Sequence, residues 1–245
     1  MTHRISALIA ALLLLTTVSM AQSLTHLYLV GDGVPGGVQE LTTYPGTQLK
    51  YAGPLREGAV RIRNTEQHKV TTVYLKPSVE DACIVNHGIA FTTTRDSTSA
   101  IWNVPFTEDV FRFTVNVTER TLRGELFRPW NELFIVGGAT TCGWPDDHTF
   151  LPLTRRQGEV CTYEWTGELR ERPEHNESRR FKLTGQNAWD PKALHPFTAD
   201  ADVLKSSQLL TNGSADNKWS VSRNGIYHLV VDVFRETIQA EFLGE

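Results

Sequence analysis

The chain has few of the residues that would make its chemistry obvious. Only three of its 245 residues are cysteine and two are methionine, which excludes a disulfide-dense mini-domain and a zinc-finger array. No Gly-x-Ser-x-Gly elbow and no His-Glu-x-x-His occurs, and no stretch of helical length carries a 3.6-residue apolar period. A basic excess is also missing. With 24 Lys and Arg against 28 Asp and Glu, the formal charge is −4, so no polycationic face is available for nucleic acid or anionic lipid. The longest apolar run, Ile5 to Val18, is shorter than the roughly 18 residues a membrane span needs.

That run reads instead as an export signal. Arg4 supplies the positive start and Ser19-Met20-Ala21 a small-x-small cleavage site, so residues 1–21 are expected to be removed. The mature chain then has 23 basic and 28 acidic side chains, a balance of −5. The expected location is exported, at the outer membrane, periplasmic or extracellular, with no transmembrane segment. Export permits disulfides, and only Cys142 and Cys161 fall near each other within one module. They could pair if their Cα atoms come within about 7 Å. The alternative is three small buried hydrophobes.

The chain repeats itself. Leu27-Tyr28-Leu29-Val30-Gly31-Asp32 is echoed by Leu133-Phe134-Ile135-Val136-Gly137-Gly138, and Val110 to Leu126 aligns without a gap on Ile226 to Phe242. A period near a hundred residues suits a small sandwich domain. The alternation in Phe111-Arg112-Phe113-Thr114-Val115 and in Tyr227-His228-Leu229 marks half-buried strands. Each module should close on a hairpin, turning at Thr118-Glu119-Arg120 and at Phe234-Arg235-Glu236. The expected architecture is all-β, two tandem immunoglobulin-like β-sandwich modules at 22–127 and 128–245, with Pro129 breaking the ladder between them. A helical turn or two is expected over Ala199 to Lys205.

Tryptophan placement distinguishes the copies. Trp102 lies in the first, Trp130 at the junction, and Trp144, Trp165, Trp189 and Trp219 in the second. Trp165 alternates with Tyr163 and Cys161, a core pattern, and Trp219 matches Trp102, a position kept for packing. Trp144 and Trp189 fall in polar loops, where an exposed indole suits the apolar face of a pyranose and nearby amides and charges suit its hydroxyls. The bland reading of either ring is a plug at the end of the sandwich. Catalysis lacks a constellation: the neighbours Asp146 and Asp147 would point to opposite faces of a strand, and glycosidases need two carboxyls facing across a cleft. His148, His175, His195 and Cys142 lack zinc spacing. The protein is therefore expected to be neither an enzyme nor a cofactor or metal protein. Sequons occur at Asn116, Asn176 and Asn212.

The segments 133–144, Tyr163 to Leu169, Phe181-Lys182-Leu183, Asn187-Ala188-Trp189, Asn217-Lys218-Trp219 and 225–232 resemble, in that order, the carbohydrate-binding modules of the SusE/SusF outer-membrane family of Bacteroidetes. The resemblance implies non-catalytic binding of starch or a related glycan, beside a TonB-dependent transporter. It makes Trp144 and Trp189 the aromatic platform, with Asn187, Lys182 and Lys218 as hydroxyl partners. Two departures stand out. Family members are lipoproteins, whereas the first cysteine after the cleavage site is Cys83. The first module has Gly36-Gly37-Val38 where Gly-Trp would fall and is read as a degenerate scaffold copy. Binding through one shallow face should be weak, with Kd of about 10⁻⁵ to 10⁻³ M. The rival reading is an assembly subunit of an outer-membrane complex whose loop tryptophans contact a protein; an uncharacterised hydrolase is the third.

Overall fold

The computed structural model describes residues 24–188, 192–211 and 215–245. The export signal and Trp189 lie outside the described residues. The chain folds as two compact units divided between Phe127 and Arg128, and both are all-β.

Among the described residues, unit 1 contains β1 (Tyr28–Val30), β2 (Val38–Glu40), β3 (Thr42–Tyr44), β4 (Gln48–Leu55), β5 (Gly58–Arg63), β6 (Tyr74–Pro77), β7 (Asn86–Thr94), β8 (Trp102–Val104), β9 (Glu108–Asn116) and β10 (Thr121–Leu126). The strands connect in the order β2-β1-β5-β6-β7-β10-β9-β4-β3, with β8 on β5. β7 pairs with β6 through Phe91 to Thr94 and with β10 through Asn86 to Ala90, carrying the sheet from one layer to the other. The inward residues of both layers, among them Leu29, Ile62, Leu75 and Trp102 facing Tyr51, Phe111, Phe113 and Leu122, form one core. That is the two-layer solution a one-sided apolar sheet requires.

Unit 2 contains β11 (Phe134–Val136), β12 (Leu151–Pro152), β13 (Thr154–Arg155), β14 (Thr162–Leu169), β15 (Arg180–Thr184), β16 (Ala193–His195), β17 (Ala201–Asp202), β18 (Leu210–Thr211), β19 (Trp219–Ser220), β20 (Gly225–Asp232) and β21 (Thr237–Gly244). One sheet runs β12-β11-β15-β16-β18, with β19 on β15 and β17 on β19; the other runs β13-β14-β20-β21. The turn expected over Ala199 to Lys205 is a single 3₁₀ turn, Val203–Lys205, because the Asp202 side chain accepts the Leu204 N–H and caps it.

The repeat is structural down to register. In both units the edge strand changes sheets at a buried leucine: Leu41 donates its N–H to Leu27, and Leu153 to Leu133, each at 2.8 Å. Trp102 pairs with Val60 and Trp219 with Phe181 in the matching positions, and both indoles are fully buried. At about 200 Å² of ring and roughly 25 cal/mol/Å², each contributes on the order of 5 kcal/mol to its core. The hairpin aligns without a gap because its turn is built identically. Asn116 Oδ1 accepts the Glu119 N–H at 3.0 Å and Asp232 Oδ1 the Arg235 N–H at 2.8 Å, while Arg120 and Glu236 close the turns at φ 52° and 55°.

The glycine ending each opening strand has an equally local cause. Gly31 has φ +126° and Gly137 φ +151°. A Cβ there would stand 2.6 Å from the Ala59 carbonyl oxygen and 2.4 Å from that of Arg180, so the neighbouring strand leaves room for hydrogen alone.

Cys142 and Cys161 do not pair: both are free thiols. Cys161 belongs to the core, accepting the Trp130 N–H on Sγ at 3.2 Å, whereas Cys142 sits in the loop after β11 beside Thr140 Oγ1 at 3.1 Å. Each thiol is occupied by its own local partner. Trp130, placed at the junction by sequence, is a core residue of unit 2. Its carbonyl accepts the Tyr163 hydroxyl at 2.7 Å, and its ring covers Gly185, where a Cβ would come within 2.3 Å. No helix among the described residues is long and apolar enough to cross a membrane.

Candidate functional site: a charged ledge around Trp144

Trp144 is presented by a tight loop. Gly137 and Gly143 form an antiparallel bridge, the Gly137 N–H donating to the Gly143 carbonyl at 2.9 Å, and Thr140 Oγ1 donates back to the Gly137 carbonyl at 2.7 Å. A second loop, between β14 and β15, packs against it. A Cβ on Gly138 would meet the Asn176 and Glu177 carbonyl oxygens at 2.4 Å, and one on Gly143 would meet the His175 ring at 3.2 Å. His175 Nδ1 donates to the Gly138 carbonyl at 3.1 Å. The two glycines therefore bring the loops close enough for Asn176 to accept the indole N–H of Trp144 at 2.9 Å. The ring is half-buried and held in one orientation.

An ion-pair cluster adjoins it through Lys218. Lys218 Nζ lies 5.7 Å from the Trp144 ring centroid, over its face, and is held by Asp216 Oδ2 at 2.9 Å and Glu177 Oε2 at 3.6 Å. Lys182 Nζ reaches Asp216 Oδ1 at 3.3 Å. Arg180 is shared between Glu177 at 3.0 Å and Asp200 at 2.7 Å. Burial pushes the Asp216 carboxyl toward a higher pKa, but the hydrogen bond from Lys218 and the charges of Lys182 and Lys218 outweigh it and hold the group below the ordinary carboxylate range.

Of the five residues expected at the site, Trp144, Lys182 and Lys218 come together. Asn187 turns to the far end of the β11–β12 loop, where its Oδ1 accepts the Phe150 N–H at 3.3 Å; Trp189 is not among the described residues. Trp165, expected in the core, is only half-buried. It lies opposite the point where the edge strand leaves for the other sheet, between Leu153 and Thr154, and its ring rests over Gly167. Sequence reasoning overlooked Asn176, Glu177 and Asp216. The last had a signal, an acid two residues before Lys218; the first two act through a loop whose proximity only the fold reveals. No group of three or more metal-ligating side chains occurs among the described residues.

Unit 1 is different at the matching positions. By strand register Ala59 stands where Arg180 does, Arg61 where Lys182 does, and Ile101 where Lys218 does. The Trp144 loop is replaced by a short turn with Gly36 and Gly37 at φ +80° and +85°. What remains is an open depression of about 540 Å³ floored by Ala59 and Ile101, with Lys76, Glu80, Ser99 and Asn103 around it. None of its lining residues is aromatic.

No protein-family model matches this chain, and no curated protein matches it. Among solved structures, the crystal structure of SusF from Bacteroides thetaiotaomicron is similar at 13% identity and a TM-score of 0.40; the match covers 88% of this chain and 48% of that one. The chain thus spans about half the length of SusF.

Proposed function

We propose that the protein is a non-catalytic carbohydrate-binding protein of the cell envelope, binding a glycan through unit 2, with unit 1 as its scaffold. The observation that carries the reading is the fixed, half-buried indole of Trp144 with Lys218 over it, joined through ion pairs to Asp216, Glu177 and Lys182. A flat apolar surface with hydrogen-bonding groups at its rim matches a pyranose, which has apolar C–H faces and a hydroxyl edge. The order of sequence motifs from 133 to 232, resembling SusE/SusF modules, supports the same reading and extends it to capture beside an outer-membrane transporter. Starch-type oligosaccharides are the first ligands to try.

Titration of the full chain and of Trp144→Ala with a panel of soluble glycans tests this. Binding with Kd in the range of about 10⁻⁵ to 10⁻³ M, weakened at least tenfold in Trp144→Ala, is the expected result. Equal binding by both proteins would remove the site. Release of reducing ends during incubation would replace the binding role with hydrolysis.

A further inference from the structure

The charges around Trp144 are unevenly anchored. Lys182 and Lys218 both reach Asp216, Lys218 also lying 3.6 Å from Glu177, and their side chains are only 16% and 17% exposed, whereas that of Asp216 is 59% exposed. The two cations are therefore the fixed part of the cluster, and the acid that bridges them reaches in from solvent. Unit 1 keeps a cation at the position of Lys182, Arg61, but has Ala59 and Ile101 at those of Arg180 and Lys218, so the pair of lysines is specific to unit 2. A cation also stands over the indole, 5.7 Å from its centroid, so a ligand placed against this ring lies within reach of positive charge.

We infer that the glycan taken at this ledge carries carboxylates, as uronate residues do, with Lys182 and Lys218 as counter-charges and Asp216 as the built-in occupant that the ligand's carboxylate displaces. The inference rests on Trp144 being the glycan platform. Three features combine. Two lysines whose side chains are largely covered, both reaching one carboxylate, make a ready anion site, because the fold has already restricted their side chains. The occupant is exposed, so exchanging it for a ligand carboxylate trades one ion pair for another. The sugar ring then gains the indole face, which Asp216 cannot use. A neutral glucan gains that face too but leaves Asp216 in place and adds no charge pairing, so the site favours the acidic sugar.

The test compares oligogalacturonate, oligo-alginate and maltoheptaose of similar length against the full chain and four variants. The inference expects at least one uronate to bind about tenfold more tightly than maltoheptaose in low salt, and to lose most of that advantage at 0.5 M NaCl, where the screening length falls to a few ångströms. Asp216→Asn should strengthen uronate binding several-fold and widen its advantage over maltoheptaose. Lys182→Met and Lys218→Met should abolish the preference. Uronates no tighter than maltoheptaose, or uronate binding weakened by Asp216→Asn, would overturn the inference while leaving Trp144-dependent glycan binding intact. Trp144→Ala with undiminished affinity for every sugar would remove the platform, and this inference with it.

Discussion

The two copies of the fold contain a built-in comparison at Trp102 and Trp219. Both indoles occupy the same register position and both are completely buried. Trp102 Nε1 donates to the Leu75 carbonyl at 3.0 Å, whereas Trp219 Nε1 is buried without a partner. Replacing either ring with phenylalanine removes similar volume, a cost on the order of 1–2 kcal/mol for a partly collapsible cavity. Trp102→Phe also removes a buried hydrogen bond, adding about 1–2 kcal/mol. Trp219→Phe deletes a donor whose desolvation nothing offsets, which returns about 1 kcal/mol or more. The expected ordering is a loss of about 3 kcal/mol in unit 1 and a loss near zero to 1 kcal/mol in unit 2. Hydrogen exchange with mass spectrometry on the full chain reads each unit through its own peptides, so destabilisation of one is seen apart from the other. Exchange in β5 and β9 should accelerate by roughly two orders of magnitude in Trp102→Phe, and exchange in β15 and β20 by less than tenfold in Trp219→Phe. Equal losses, or a larger loss at Trp219, would refute the hydrogen-bond accounting.

Three further outcomes follow from local geometry. Gly137→Ala, with its Cβ 2.4 Å from the Arg180 oxygen and Phe181 Cα and φ at +151°, should cost on the order of 3 kcal/mol; Gly158→Ala, at φ +80° with open space around it, should cost about 1 kcal/mol in the same urea titration, and parity between them would contradict the strand-crowding explanation. The depressed pKa of Asp216 means that its ion pairs stabilise unit 2 fully above the ordinary carboxylate value near 4 and lose that contribution as pH falls through the lower folded value; an NMR titration of its carboxyl should show a midpoint below about 3.9, rising in the Lys182→Met, Lys218→Met double variant, and a wild-type midpoint at or above 3.9 would sink the assignment. Both thiols of unit 2 should be counted as free in denaturant without reductant, while in the native protein Cys161 should react far more slowly than Cys142, since Cys161 is fully buried and its thiol is pushed up in pKa by that burial; a thiol titre lower by two would restore the disulfide.

How much of this was written in the chain depends on whether the deciding interaction is local. The closing hairpins were legible because alternation, the Oδ1-bearing turn residue at Asn116 and Asp232, and the left-handed residue at Arg120 and Glu236 lie within a dozen residues of one another. The match of Trp102 to Trp219 was legible for a related reason: burial on a strand next to a buried partner leaves a large residue little alternative. Parity failed at Trp165, since alternation predicts which face a side chain takes but not whether the opposite sheet extends that far, and here the edge strand departs at Leu153. The site was half legible. Trp144, Lys182 and Lys218 are residue types that advertise themselves, yet what organises them is Asn176 and Glu177, on a loop more than thirty residues from Trp144 in sequence. Nothing about an Asn-Glu pair in a polar loop signals that its backbone will cap an indole, because that depends on Gly138 and Gly143 letting two loops approach at van der Waals distance.

The comparison of the copies then bears on how a site arises on a repeated fold. Both units keep the crowded glycine, the sheet-switching leucine, the buried tryptophan and the hairpin turn, which are the features the sandwich needs to close. They differ at outward positions of the same strands, Ala59 against Arg180 and Ile101 against Lys218, and in the loop after the opening strand, where Gly36-Gly37 faces a longer segment carrying Trp144. Outward strand positions change at small cost to stability, usually within about 0.5 kcal/mol, so a charged rim can be assembled there without disturbing the core. The aromatic platform is the harder part, since its orientation needs two loops, two glycines and a backbone acceptor together. Grafting Arg180 and Lys218 onto unit 1 as Ala59→Arg and Ile101→Lys should therefore leave its fold intact and produce no sugar affinity, while transferring the 138–150 loop alone should not orient its indole without a counterpart to Asn176. Glycan binding by the Ala59→Arg, Ile101→Lys protein with Trp144 replaced by alanine would show that the rim, and not the fixed ring, is what recognises the ligand.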